Sequence, residues 1–175
     1  MVLKLISSIF SSFLFIFLLS HRKGKKASNF LLGFFFLSVC LNFTDGILII
    51  NQAYSDHPSF AFIGNNFSLL FGPFLFLYTK SVIYKDFRFK LTMLLHAVPF
   101  FLFLIFSVLS YHSQNTEMKK FILTSAGKQE MPLALYGIGI LLYVQFYSYT
   151  FFALSLLRKY NTAISNKFSE TNSIN

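Results

Sequence analysis

Five apolar runs, each roughly 20 residues or more, fix the solvent this chain must fold in. They cover Val2 to Ser20, Asn29 to Ile50, Phe60 to Thr79, Leu91 to Tyr111 and Pro132 to Leu157. At about 1.5 Å of rise per residue, a helix of that length crosses a hydrocarbon core of about 30 Å. The expected fold class is therefore all-α: a polytopic membrane protein with about five transmembrane helices in an antiparallel bundle, 1–157, followed by a polar tail, 158–175, without a folded element. The bilayer is the first partner this implies.

The loop charges predict an orientation. Arg22, Lys23, Lys25 and Lys26, then Lys80, Lys85, Arg88 and Lys90, then Arg158, Lys159 and Lys167 fall on one side; Lys4, Lys119, Lys120 and Lys128 fall on the other. Lys and Arg near helix ends stay in the cytoplasm, so the amino terminus is expected outside and the carboxyl terminus inside. A net charge of +9 raises nucleic acid as a partner, but these cations sit beside helix ends, where topology and anionic lipid account for them. The first run is read as a retained helix, because the basic segment after Leu19 opposes translocation. Tyr54, Tyr78, Tyr84, Tyr111 and Tyr160 lie near proposed helix ends, where amphipathic rings favour the interface.

Short connections at 21–28, 51–59 and 80–90 predict that consecutive helices are antiparallel neighbours. The connection from His112 to Met131 is longer and polar, with Phe121, Ile122 and Leu123 suited to rest on the membrane surface.

Asp45 is the single acidic residue inside the five runs. With Ser38 and Asn42 it forms a stripe on one helix face, and lipid directs such a stripe into the bundle. Asn65 and Asn66 lie at matching depth on the next helix, so either is expected to hydrogen-bond Asp45. Two readings follow: a small-ligand or ion site open to the outside, with Asn42 and Gln145 as deeper neighbours, or a hydrogen bond that fastens two helices. Gly64, Ser68 and Gly72 make a small-residue ridge for close packing, and Pro73 and Pro99 are candidate hinges. His96 lies towards the opposite end from Asp45, which argues against a proton relay between them.

Metal ligands paired at helical spacing, a nucleophile elbow, a phosphate-cradling glycine loop and paired carboxylates are all missing from the sequence. No enzymatic activity, cofactor or metal is expected.

Four stretches, in order, resemble the membrane region of bacterial membrane-embedded AraC-type transcriptional regulators. They are NFLLGFFFLSVCLNFTDGILI at 29–49, GNNFSLLFGPFLFLYTKSVIYKDFRFK at 64–90, LLHAVPFF at 94–101 and YNTAISNKFSETNSIN at 160–175. The most specific piece is Gly72-Pro73 to Tyr78, a short basic turn, then Leu94-Leu95-His96 with Pro99-Phe100. The resemblance implies a multi-pass protein of the bacterial inner membrane. It also implies the sensory or anchoring half of such a regulator, truncated before the helix-turn-helix domain and so without direct nucleic-acid binding. A small extracytoplasmic ligand and a second copy of the chain are the partners such a module admits. A small transporter or channel-like subunit and a nonfunctional truncated product stand as alternatives.

Overall fold

The computed structural model describes residues 1–21, 23–125 and 133–172. Arg22, Lys128, Met131 and Pro132, used above for charge and boundaries, lie outside the described residues. Among the described residues are six α-helices: α1 (Val2–Ser20), α2 (Lys26–Ile50), α3 (Phe71–Ile83), α4 (Val98–Ser107), α5 (Thr116–Ser125) and α6 (Leu133–Asn172). Three 3₁₀ segments, Pro58–Phe60, Gly64–Leu70 and Leu91–Ala97, and a π turn, Val108–His112, complete the helical structure; no strand occurs among the described residues. Five helical stretches among the described residues are long and apolar enough to cross a membrane: Val2–Ser20, Lys26–Ile50, Pro58–Ile83, Leu91–His112 and Gly139–Lys167.

The interior is the inverse of a water-soluble core. Among the described residues, ten polar or charged side chains are buried against six hydrophobic ones, while large apolar side chains such as Phe10, Leu102, Leu141 and Phe151 are exposed. Helices in lipid gain nothing by hiding apolar surface from one another, so their contacts are built from small and hydrogen-bonding residues. Ser8 of α1 meets Thr44 of α2 at 2.7 Å, and Ser81 donates to Ser28 at 2.9 Å. Outward-facing Phe, Leu and Ile are left for lipid.

α1 and α2 form a hairpin whose turn carries Gly24 at φ +88° and is tied by the Asn29 amide to the carbonyls of His21 and Lys23. The third span lies antiparallel to α2, with Ser28 beside Ser81 at one end and Asn42 beside Asn65 at the other. Lys25 fastens the first of these ends. Its ammonium donates to the carbonyls of Ser81, Val82 and Tyr84, where the last turn of α3 leaves acceptors unpaired. This end, which also carries Lys80, Lys85 and Arg88, is called the basic end below.

The third and fourth spans are not uniform α-helices, as their sequences suggested. Each enters as a 3₁₀ helix and becomes α-helical beside a proline, Pro73 in the first turn of α3 and Pro99 in the first turn of α4. Proline is tolerated there because first-turn amides need no intrahelical acceptor. The change of pitch redirects the expected ridge. At about 120° per residue, the 3₁₀ steps from Gly64 to Leu70 come back to the starting direction, and the α steps on to Gly72 add roughly 200°. Gly64 accordingly meets α2 and Gly72 meets α6: a Cβ on Gly64 would strike the Leu41 carbonyl oxygen, and one on Gly72 would come within 2.9 Å of Tyr149 Cβ. Ser68, between them, donates to its own Asn65 carbonyl.

The last connection and the tail hold more structure than the sequence indicated. The connection after the fourth span contains α5, whose Lys119 is buried and donates to Ser59 Oγ; Phe121 is exposed, while Ile122 and Leu123 are half-buried. The stretch after Leu157, expected to lack a folded element, continues α6 as far as Asn172. No Gly or Pro interrupts 158–172, so nothing local stops the helix.

Candidate functional site

α2 ends in a Schellman motif. Ala53 N–H returns to the Leu48 carbonyl and Gln52 N–H to that of Ile49, with Gln52 at φ 55°. Gln occupies a position that usually takes Gly, so the sequence gives no sign of this turn. It swings Tyr54 back over the end of α2, and the Tyr54 hydroxyl donates to Asp45 Oδ1 at 2.8 Å.

A second left-handed residue, Phe62 at φ 67°, joins the segments Pro58–Phe60 and Gly64–Leu70. An aromatic residue there costs on the order of 1–2 kcal/mol, and its neighbours hold it in place. The Phe62 ring packs edge-on to Tyr111 at 4.9 Å between centroids. Tyr111 is itself anchored by its hydroxyl on the Pro58 carbonyl at 2.7 Å, while His112 Nδ1 donates to the Ser59 carbonyl at 3.1 Å. The fourth span thus clamps the entrance of the third. The consequence is at Asn65, whose backbone N–H donates to Asp45 Oδ2 at 3.0 Å, with the Phe62 amide also turned to the carboxyl.

Asp45 is 3% exposed and both of its oxygens accept hydrogen bonds. Asn65 is the partner that depth matching indicated, but through its backbone. Its side chain turns to Asn42, whose Nδ2 donates to Asn65 Oδ1 at 3.1 Å. Asn66 is 2% exposed and makes no bond to Asp45; its buried Nδ2 has no hydrogen-bond partner. Such a donor leaves its desolvation cost uncompensated and suits an acceptor brought from elsewhere. Ser38 is buried and spends its hydroxyl on the Phe34 carbonyl.

Tyr54 and Tyr111 both lie near the ends of spans. Both commit their hydroxyls inward. Burial, followed by the hydrogen bond and charge of Asp45, holds the Tyr54 phenol above its ordinary range. Neither residue could be found by periodicity, since Tyr54 lies past the end of α2 and Tyr111 on another span.

Gln145 stands apart from this knot. Its Nε2 donates to the Leu69 carbonyl at 3.1 Å, the acceptor that an α-helical amide at residue 73 would have used. Pro73 has no N–H, and Gln145 supplies the donor from α6. One turn on, Tyr149 packs against Gly72 and bonds His96 Nδ1 at 2.9 Å. His96 therefore belongs to a second polar cluster, with Phe76 edge-on at 5.6 Å, and not to Asp45.

Chemically, the Asp45 knot offers a carboxyl whose hydrogen bonds are already engaged and, next along the chain from Asn65, an amide without a partner. Among the described residues no group of three His, Cys, Asp or Glu side chains is placed to hold a metal ion. No protein-family model matches the chain, and no curated protein or solved structure matches it.

Proposed function

We propose that the chain is a sensory and anchoring module of the bacterial inner membrane, akin to the input half of membrane-embedded AraC-type regulators. Its amino terminus and the Asp45 knot face outward, and α6 emerges in the cytoplasm. The observation that carries this reading is the orphan Nδ2 of Asn66, buried next in sequence to the residue that caps Asp45. An acceptor-bearing small molecule reaching that amide would compete for the bonds that hold Asn65 and Tyr54. The third span leads from there to Leu69 and Gly72, which contact α6 directly. α6 is one unbroken helix to Asn172, so displacement at these contacts passes to its polar end as rigid-body motion. The reading assigns the chain no catalytic step.

The test is a pair of spin labels at Val82 and Thr162, with distances measured by double electron–electron resonance in lipid nanodiscs. Asp45→Asn and Asn66→Leu should each move the distance distribution by about 1–2 Å, the scale of helix shifts in switching proteins. Distributions identical to the parent's in both variants would reduce the knot to a fastening between helices and remove the sensory reading.

A further inference from the structure

At the basic end, the loop between the third and fourth spans borders a cavity of about 700 Å³. Lys80, Lys85, Arg88 and Lys90 line it against a single carboxylate, Asp86. These cations are not consumed by the fold. Lys85, Arg88 and Lys90 make no ion pair among the described residues, and Lys80 rests its ammonium over the Phe76 ring at 5.1 Å, which leaves its protons free to donate. Lys25, the nearby lysine that does have a structural task, is occupied by the carbonyls of α3.

The loop's sequence sets this display. A turn closed by Phe87 N–H on the Tyr84 carbonyl at 3.3 Å is followed by irregular chain to Lys90, which is extended at φ −117° and ψ 148°. Phe89 meets Phe87 edge-on at 5.6 Å and Phe30 of α2 at 6.0 Å while remaining largely exposed, and Phe87 joins the lining of the cavity. Arg88 and Lys90 line the cavity beside it. Met93 and Leu95 add apolar lining, and His96 joins the cavity to α6 through Tyr149.

We infer that this cavity is a binding site for a phosphate-bearing anion, seated where a phospholipid headgroup lies. Arg and Lys converging on a mostly unneutralised cavity match phosphate oxygens. The loop joins Ile83, the end of one span, to Leu91, the start of the next, which places it at headgroup depth. The volume exceeds what a bare phosphate fills and accommodates a glycerophosphate, with apolar lining for the start of the acyl chains. The inference stands independently of the sensory reading.

Native mass spectrometry of the full chain in a neutral detergent tests it, with phosphatidylglycerol titrated against phosphatidylcholine of the same chains. One phosphatidylglycerol should be retained at least tenfold more tightly than phosphatidylcholine. The double variant Arg88→Gln, Lys90→Gln should weaken retention roughly thirty-fold, at the usual worth of two interfacial cations. Arg158→Gln with Lys159→Gln should leave it unchanged, and Arg88→Lys with Lys90→Arg should preserve it, which separates charge from folding. Adding inorganic phosphate identifies the source of the anion: displacement of the lipid assigns the site to phosphate itself, and retention assigns it to the whole headgroup. Equal retention of the two lipids, or equal losses in the two charge-removed doubles, overturns the site.

Discussion

Gln145 donates its side-chain amide to the Leu69 carbonyl at 3.1 Å, completing from α6 the hydrogen bond that Pro73 withholds from the third span. Helix type, helix contact and proline position are joined in that bond. Gln145→Leu should cost about 0.6–1.7 kcal/mol of bundle stability in mixed-micelle unfolding. Pro73→Ala restores a backbone donor at residue 73, so the same Gln145→Leu change should cost markedly less in that background. Equal costs in both backgrounds would show that the two residues do not share the Leu69 acceptor.

The Tyr54–Asp45 bond makes a pH prediction with a definite sign. The folded-state pKa of Tyr54 lies above the unfolded value of about 10, by burial first and then by Asp45. The bond's contribution is therefore fully present below pH ~10 and is lost as pH rises through the higher folded value. The phenolate absorbance difference between the parent and Tyr54→Phe should show no titration up to pH ~11. A step near pH 10 would mean that Tyr54 is solvated.

Glycines separate by what lies beside them. Gly64→Ala drives a methyl into the Leu41 carbonyl and within 2.6 Å of Asp45 Cβ. It should destabilise by about 1–3 kcal/mol and disturb the knot. Gly137 in α6 has open space around it, so Gly137→Ala should be neutral or stabilise by up to about 1 kcal/mol through helix propensity. Thermal unfolding in detergent distinguishes them, and similar midpoints for the two variants would contradict this packing.

Lys25→Met removes the donor shared by the Ser81, Val82 and Tyr84 carbonyls. The end of α3 should fray at a local cost of about 1–2 kcal/mol. Hydrogen exchange of the amides at 82–85 should accelerate about tenfold while those of α1 keep their rates. A uniform acceleration would point to global loosening instead of a lost cap.

Much of this protein could be read from its residues alone. Crossing a bilayer depends on length and apolarity, both local properties, so five runs in the sequence correspond to five helices able to span one. The depth match between Asp45 and Asn65 followed from the same counting, because over the five residues from a helix end the α and 3₁₀ rises differ by only about 2–3 Å. Tertiary structure decided what those residues touch. Tyr54 reaches Asp45 through a left-handed Gln52, Asn65 caps it through a strained Phe62, and Gly64 and Gly72 part to different helices because the chain between them is 3₁₀. Pitch and left-handed turns cost only a few kcal/mol, so contacts made by distant residues such as Tyr111 and Gln145 select them. That selection is invisible to any pattern read along one helix.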